Sequence, residues 1–259
     1  MARIGFVGTG EIANAMVRGI AGDGHAILVS ERNAGIAAAL ARDCADVSVA
    51  PNDRVVAESD IVILCLGEKV ARAVLPDLPF RAGQRIVSVM LGLSLAELAE
   101  LCAPAGEIAI TIPLPFIETG GCPLPHYPGS SALDEVFGAR NVLLPLSAEA
   151  ALNPHFAATA LSSVVLAQLD LVSDWLAEFT GDRQSAEAYM VTLIAGGLGN
   201  VPNDGEGRLA EAIKALSIEG GLNATLRAHM KESGAMAGLR DGLDAFRPRL
   251  GLPPKSEGS

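Results

Sequence analysis

The residues best placed to do chemistry lie at the start of the chain. An apolar run, Ile4-Gly5-Phe6-Val7, leads into Gly8-Thr9-Gly10-Glu11-Ile12-Ala13 and then a helix-like stretch to Ile20. Strand, glycine turn and helix start follow in the order that a dinucleotide requires. Gly8 permits the tight turn, Gly10 lets the backbone approach a pyrophosphate, and Ala13 keeps the helix close to the strand. The first amides of that helix have no partner within it, so an anion is drawn to the positive end of its dipole. Thr9, Glu11 and Ile12 would add loop amides to the same site.

The elements that must hold this turn alternate strand and helix. Strands are expected at Ala26–Ser30, Val47–Val49, Ile61–Leu66, Arg85–Met90, Glu107–Ile112 and Asn141–Leu146. Helices are expected at 34–41, 51–57, 70–75, 95–101 and 132–137. The almost fully apolar run Ile61-Val62-Ile63-Leu64-Cys65-Leu66 reads as a parallel strand covered on both faces. Proline-rich Pro113–Pro128 is expected to be irregular, with edge strands at most. The expected class is α/β: a doubly wound sheet over 1–147, then an all-α domain over 148–248 and a disordered tail over 249–259. Helices of the second part are expected at 162–179, 184–198, 208–215, 221–232 and 236–246.

Bulk properties exclude several functions. With 259 residues, half of them hydrophobic but only 4% aromatic, the chain must pack a core of Ala, Leu, Val and Ile. A net charge of −11 with no basic cluster argues against nucleic acid. Cys44, Cys65, Cys102 and Cys122 form no CxxC pair, and the four histidines are equally scattered. Free thiols, a cytoplasmic setting and no metal site are therefore expected. The N-terminus does not read as a signal peptide, since Glu11, Asn14 and Arg18 interrupt it. Uncharged Ala150–Leu169 is long enough to suggest a membrane span, but its Asn153, Pro154, His155, Ser162, Ser163 and Gln168 favour a helix buried in a subunit interface.

Taken together, the opening Ile4–Ile20 with Ala15 and Gly19, the strands Ser59–Leu64 and Val87–Ser94, the segment Pro113-Leu114-Pro115, and Ser217-Ile218-Glu219-Gly220-Gly221 with the helix through Gly234 resemble the pyrroline-5-carboxylate reductase family. The resemblance implies a Rossmann domain, a helical dimerisation domain with interleaved subunits, and reduction of a cyclic imine by NAD(P)H to give proline. It implies a small-molecule substrate and a homodimer through the C-terminal helices, with higher oligomers open. The chain departs from the family at several motifs. Leu66-Gly67-Glu68 stands for Val-Lys-Pro, Leu114 for the proline-flanked Asn-Thr, Ser163-Val164-Val165-Leu166 for Ser-Pro-Ala-Tyr, and Leu222-Asn223 for the Thr-Thr pair. The first threonine of that pair supplies a hydroxyl near the imine nitrogen in the family; leucine has none.

These matches assign Cys65, Leu66 and Gly67 to the nicotinamide half of the cofactor. They place Ser162, Ser163, Gly220, Gly221 and Asn223 with the substrate, and no catalytic side chain is assigned. Ser162 and Ser163 could instead bond back to the preceding turn, Gly220 and Gly221 could form an ordinary helix start, and Asn223 could cap its helix. At the end of the second strand Glu31 would favour NAD through the ribose hydroxyls. Arg32, with Ser30 and Asn33, would favour NADP through a 2′-phosphate, and NADP is preferred. A β-hydroxyacid dehydrogenase is disfavoured, because the helix over 162–179 carries no lysine. A same-fold reductase of another imine or ketone, and a catalytically silent NAD(P)-binding homodimer, remain open.

Overall fold

The computed structural model describes residues 1–255, which divide into two compact units, Met1–His155 and Phe156 onward. The first unit is a single eight-stranded sheet. Its elements run β1 (Arg3–Val7), α1 (Glu11–Ile20), β2 (Ala26–Ser30), α2 (Ala34–Asp43), β3 (Val47–Ala50), α3 (Asn52–Glu58), β4 (Ile61–Leu64) and α4 (Glu68–Val74). Then come β5 (Arg85–Ser88), α5 (Leu95–Leu101), β6 (Glu107–Thr111), β7 (Pro123–Tyr127), α6 (Ser131–Phe137) and β8 (Val142–Pro145). Strand order is β3-β2-β1-β4-β5-β6-β7-β8, parallel from β3 through β6. The chain order reverses between β1 and β4, the switch point at which such sheets open a ligand crevice beyond their carboxyl ends.

The apolar strands are explained by two covered faces. Ile61 and Ile63 of β4 belong to a core shared with Met16 and Val17 of α1, Leu40 of α2 and Leu133 of α6. Val62 and Leu64 point the other way, into a core with Val55 of α3, Ala71 of α4 and Leu98 of α5. All four are fully buried, and each side chain contributes on the order of 2 kcal/mol of hydrophobic stabilisation. The strand is shorter than expected: Cys65 donates its N–H to Val7 O, but Leu66 and Gly67 leave the sheet as a loop. β5 likewise stops at Ser88, whose hydroxyl accepts the Met90 N–H and turns the chain.

The proline-rich segment corrects the sequence expectation. Its β7 is an interior strand, antiparallel to β6 and parallel to β8. Carbonyls of Cys122 and His126 accept from Val142 and Leu146, so the alternate residues Pro123 and Pro125 face β6 instead. There the ladder covers only Ile110 and Thr111, and the Thr111 hydroxyl donates to Pro125 O. The missing proline N–H groups fall where no carbonyl asks for them, which is how two prolines sit inside a sheet.

α7 (Leu152–Thr159) starts within the first unit, where Leu152 is buried in the second core. The second unit holds α8 (Leu161–Thr180), α9 (Arg183–Gly199), α10 (Arg208–Ala215), α11 (Leu222–Glu232) and α12 (Ala235–Asp244). Gly181 and the Asp182 cap turn α8 into α9; Arg183 pairs with Asp170 and Asp174 across that turn and with Glu187 one turn along α9. Glu149–Thr180 is long and apolar enough to cross a membrane by length and composition, and only 11% of its most apolar 18-residue stretch is buried within the chain. Within the stretch expected as a tail, Leu252 donates its N–H to Arg247 O and Arg247 donates to Pro253 O. Residues 256–259 lie outside the described residues.

α5 begins with a capping box, Ser94 and Glu97, and Arg72 of α4 pairs with the same Glu97. The Ser94 N–H, then Arg72, then the Ser94 hydroxyl hold the Glu97 carboxyl down at about 2. Its folded pKa lies below the ordinary 4.5, so this stabilisation is complete above that value and lost as pH falls toward 2. Glu97→Gln is expected to lower Tm at pH 7, with the gap to the unmodified protein closing between pH 4.5 and 2 in a thermal-unfolding series.

Candidate functional site: a glycine turn and its cavity

β1 ends at Val7 and the chain turns at Gly8, whose φ is +98°. A Cβ at Gly8 would stand 2.4 Å from the Cys65 carbonyl oxygen, so only glycine fits. The turn is tied to the end of β2. The Gly8 N–H donates to Ser30 Oγ at 2.8 Å, Thr9 Oγ1 donates to Ser30 O at 2.5 Å, and the two hydroxyls lie 3.0 Å apart. Thr9 and Ser30 are buried, so both side chains act as the scaffold of the turn.

Gly10 is the N-cap of α1, and no side chain caps that helix. A Cβ at Gly10 would meet nothing within 4 Å, so the turn faces open space on this side. The first-turn amides of Glu11, Ile12 and Ala13 have no acceptor within the helix. The Glu11 side chain is exposed and Ala13 is fully buried, which brings α1 onto the sheet. A diphosphate fits this cradle, because donors, dipole and room coincide.

A cavity of about 410 Å³ opens beside the turn, lined by Gly8, Ser30, Arg32, Asn52, Leu66 and Lys69, with the Val70, Ala73 and Val74 face of α4. Glu31 is exposed and does not line it. Leu66, matched to the nicotinamide half, lines the same cavity as Ser30 and Arg32. Gly67 caps α4, and burial pushes the Cys65 thiol up to about 12, leaving it neutral at neutral pH. Asn52, Lys69, Val70, Ala73 and Val74 are lining residues not expected from the sequence. The signal for Lys69 was its place after the fourth strand, the only lysine before residue 214.

A larger cavity of about 570 Å³ lies beyond β5 and β6, lined by residues 90–94 with Glu97, Ile110, Glu149 and Asn153 among others. Both carboxylates are engaged: Glu97 in its capping box, Glu149 as acceptor of the Leu95 N–H at 2.9 Å. Among the described residues no three His, Cys, Asp or Glu side chains gather as a metal site.

The residues matched to the substrate lie in the second unit. Ser163 Oγ donates to Ala160 O at 3.0 Å, the back-bonded alternative, while Ser162 is exposed. Gly221 caps α11 without a side-chain bond, following Gly220 in a turn. Asn223 is exposed and does not cap its helix; Leu222 is 89% exposed. Arg227 donates to Ser217 Oγ at 2.6 Å and so ties the Ser217–Gly221 loop to α11.

Sheet order, glycine turn and cavity define a nucleotide-binding α/β fold. Residues 3–92 match the family described as NADP oxidoreductase, coenzyme F420-dependent. A search of curated proteins finds no match. The fold is that of the pyrroline-5-carboxylate reductases. The Streptococcus pyogenes enzyme superposes with a TM-score of 0.78 at 18% identity, over 96% of this chain and 98% of that one. The Plasmodium falciparum pyrroline carboxylate reductase, solved with NADP bound, gives 0.79 at 14% identity over 96% and 97%. An imine reductase from a Pseudomonas species gives 0.58 at 20% identity over 97% and 88%. The chain thus shares its fold with pyrroline-5-carboxylate reductases and with an imine reductase.

The two glycines make separable demands. Gly8→Ala is expected to destabilise the fold by roughly 1–3 kcal/mol, seen as a lower Tm, because φ and the Cys65 carbonyl both oppose a side chain. Gly10→Val is expected to keep Tm within a few degrees yet abolish NADPH binding, measured by quenching of NADPH fluorescence. Undiminished binding by the Gly10 variant would remove the turn from the site.

Proposed function

We propose that this protein is an NADPH-dependent reductase of a cyclic imine, with reduction of 1-pyrroline-5-carboxylate to L-proline as its reaction. The observation that carries the reading is the likeness to pyrroline-5-carboxylate reductases over both units, well above the likeness to the imine reductase. The bound nicotinamide supplies the hydride. The chain's own residues bind and orient, which is most of what hydride transfer to a protonated imine asks of a protein. The amides following Gly8 and Gly10 hold the pyrophosphate. Arg32 on the cavity wall, with Glu31 off it, favours a 2′-phosphate over free ribose hydroxyls.

In the second unit, the uncapped start of α11 after Gly220 and Gly221 suits a substrate carboxylate, and the unengaged amide of Asn223 suits a polar group beside it. Ser162 offers a further hydroxyl, while that of Ser163 is already committed. One observation favours a different imine or ketone: exposed Leu222 stands where the resemblance implies a hydroxyl. A homodimer through the C-terminal helices is part of the proposal. Trp175, Phe179, Leu171 and Tyr189 are each more than half exposed, and the second unit buries few apolar side chains of its own.

Loss of NADPH absorbance with 1-pyrroline-5-carboxylate, beside a parallel NADH reaction, tests the chemistry. Turnover at a kcat/KM on the order of 10⁴ M⁻¹s⁻¹ or above is expected. NADPH binding without turnover would overturn the substrate and point to other imines, ketones or a silent binder. Asn223→Leu is expected to lower kcat/KM by roughly tenfold, in line with loss of one hydrogen bond to a charged or polarised group. Sedimentation of the protein as a monomer at micromolar concentration would overturn the dimer.

A further inference from the structure

We propose that Lys69 is a second ligand for the 2′-phosphate of the adenosine ribose, opposite Arg32, and that it sets the preference for NADPH over NADH. This rests on the nucleotide-binding reading above and assigns a specificity residue to it. The argument starts from charge. Within Met1–His155 every arginine other than Arg32 and Arg81 pairs with a carboxylate, and Arg81 donates to the Ser59 carbonyl. Among the described residues Arg32 and Lys69, the unit's one lysine, have neither an ion pair nor a hydrogen bond. Both line the same cavity, reached from different elements: Arg32 from the loop after β2, Lys69 from α4.

A chain of net charge −11 repels a phosphate dianion at long range. Cations held at the site offset that locally, and two charge-assisted donors suit a dianion better than one. The rest of the wall fits the remainder of the ligand. Val70, Ala73 and Val74 share the face of α4 that carries Lys69, giving an apolar surface for a flat base beside the anion site. Gly8 at the rim joins this cavity to the diphosphate cradle.

The test titrates the full-length protein by calorimetry with 2′,5′-ADP and 5′-AMP, then by fluorescence with NADPH and NADH. The unmodified protein is expected to prefer the 2′-phosphorylated member of each pair. Lys69→Gln is expected to shrink that preference by about tenfold, the usual effect of losing one charge-assisted hydrogen bond. Lys69→Arg is expected to retain it, which separates loss of charge from a disturbed α4. An unchanged preference in Lys69→Gln, or equal weakening of both members, would overturn the role of Lys69 while leaving the cofactor site standing. Failure of the unmodified protein to bind any of the four would overturn both.

Discussion

The approach of Gly8 to the Cys65 carbonyl is the constraint on which the first unit depends. It brings the ends of β1 and β4 together at the point where the strand order reverses. The Ser30 hydroxyl then fastens the same turn to the end of β2. Three strand ends are thereby tied to one turn, and α1 starts from it with Gly10 facing open space. A side chain at position 8 would separate β1 from β4 and misdirect the helix, so binding geometry and sheet geometry are one requirement.

Charge is distributed around that core with a purpose visible only by elimination. The arginines of the sheet unit mostly neutralise carboxylates, as Arg3 does with Asp60 and Arg140 with Asp23. Such exposed pairs add little stability individually. Among the described residues Arg32 and Lys69 are left with neither a carboxylate nor a carbonyl partner, and both line one cavity. The second unit is organised differently: charges cluster at the α8–α9 turn around Arg183, while aromatic and aliphatic side chains stay exposed along the helices. A unit with so little interior of its own is suited to complete its core against another copy.

The chemistry fits a site that positions rather than reacts. Burial raises the thiols of Cys65 and Cys102 to about 12, and the carboxylates around the larger cavity are occupied by backbone and arginine partners. Beside the glycine turn the charged side chains are Arg32 and Lys69 on the cavity wall and exposed Glu11 at the start of α1, groups suited to binding. The hydride transfer proposed above asks for no acid–base pair at that turn.

Much of this was legible in the sequence because its signals are local. The glycine turn, the alternation of strands and helices, and the two-faced apolar run at Ile61–Leu64 each follow from a few adjacent residues, and the helices of the second unit fall within a residue or two of expectation. What the tertiary structure alone decided involves residues far apart in the chain. Two prolines enter an interior strand because the neighbouring ladder stops at Thr111, a fact about β6 and not about the prolines. Ser30 proved to be a brace for Gly8, and Lys69 a neighbour of Arg32, because strand order sets the ends of β2 and the start of α4 around one opening. Local sequence fixes which elements form. Which side chains meet depends on how the sheet is ordered, and no short stretch of sequence carries that order.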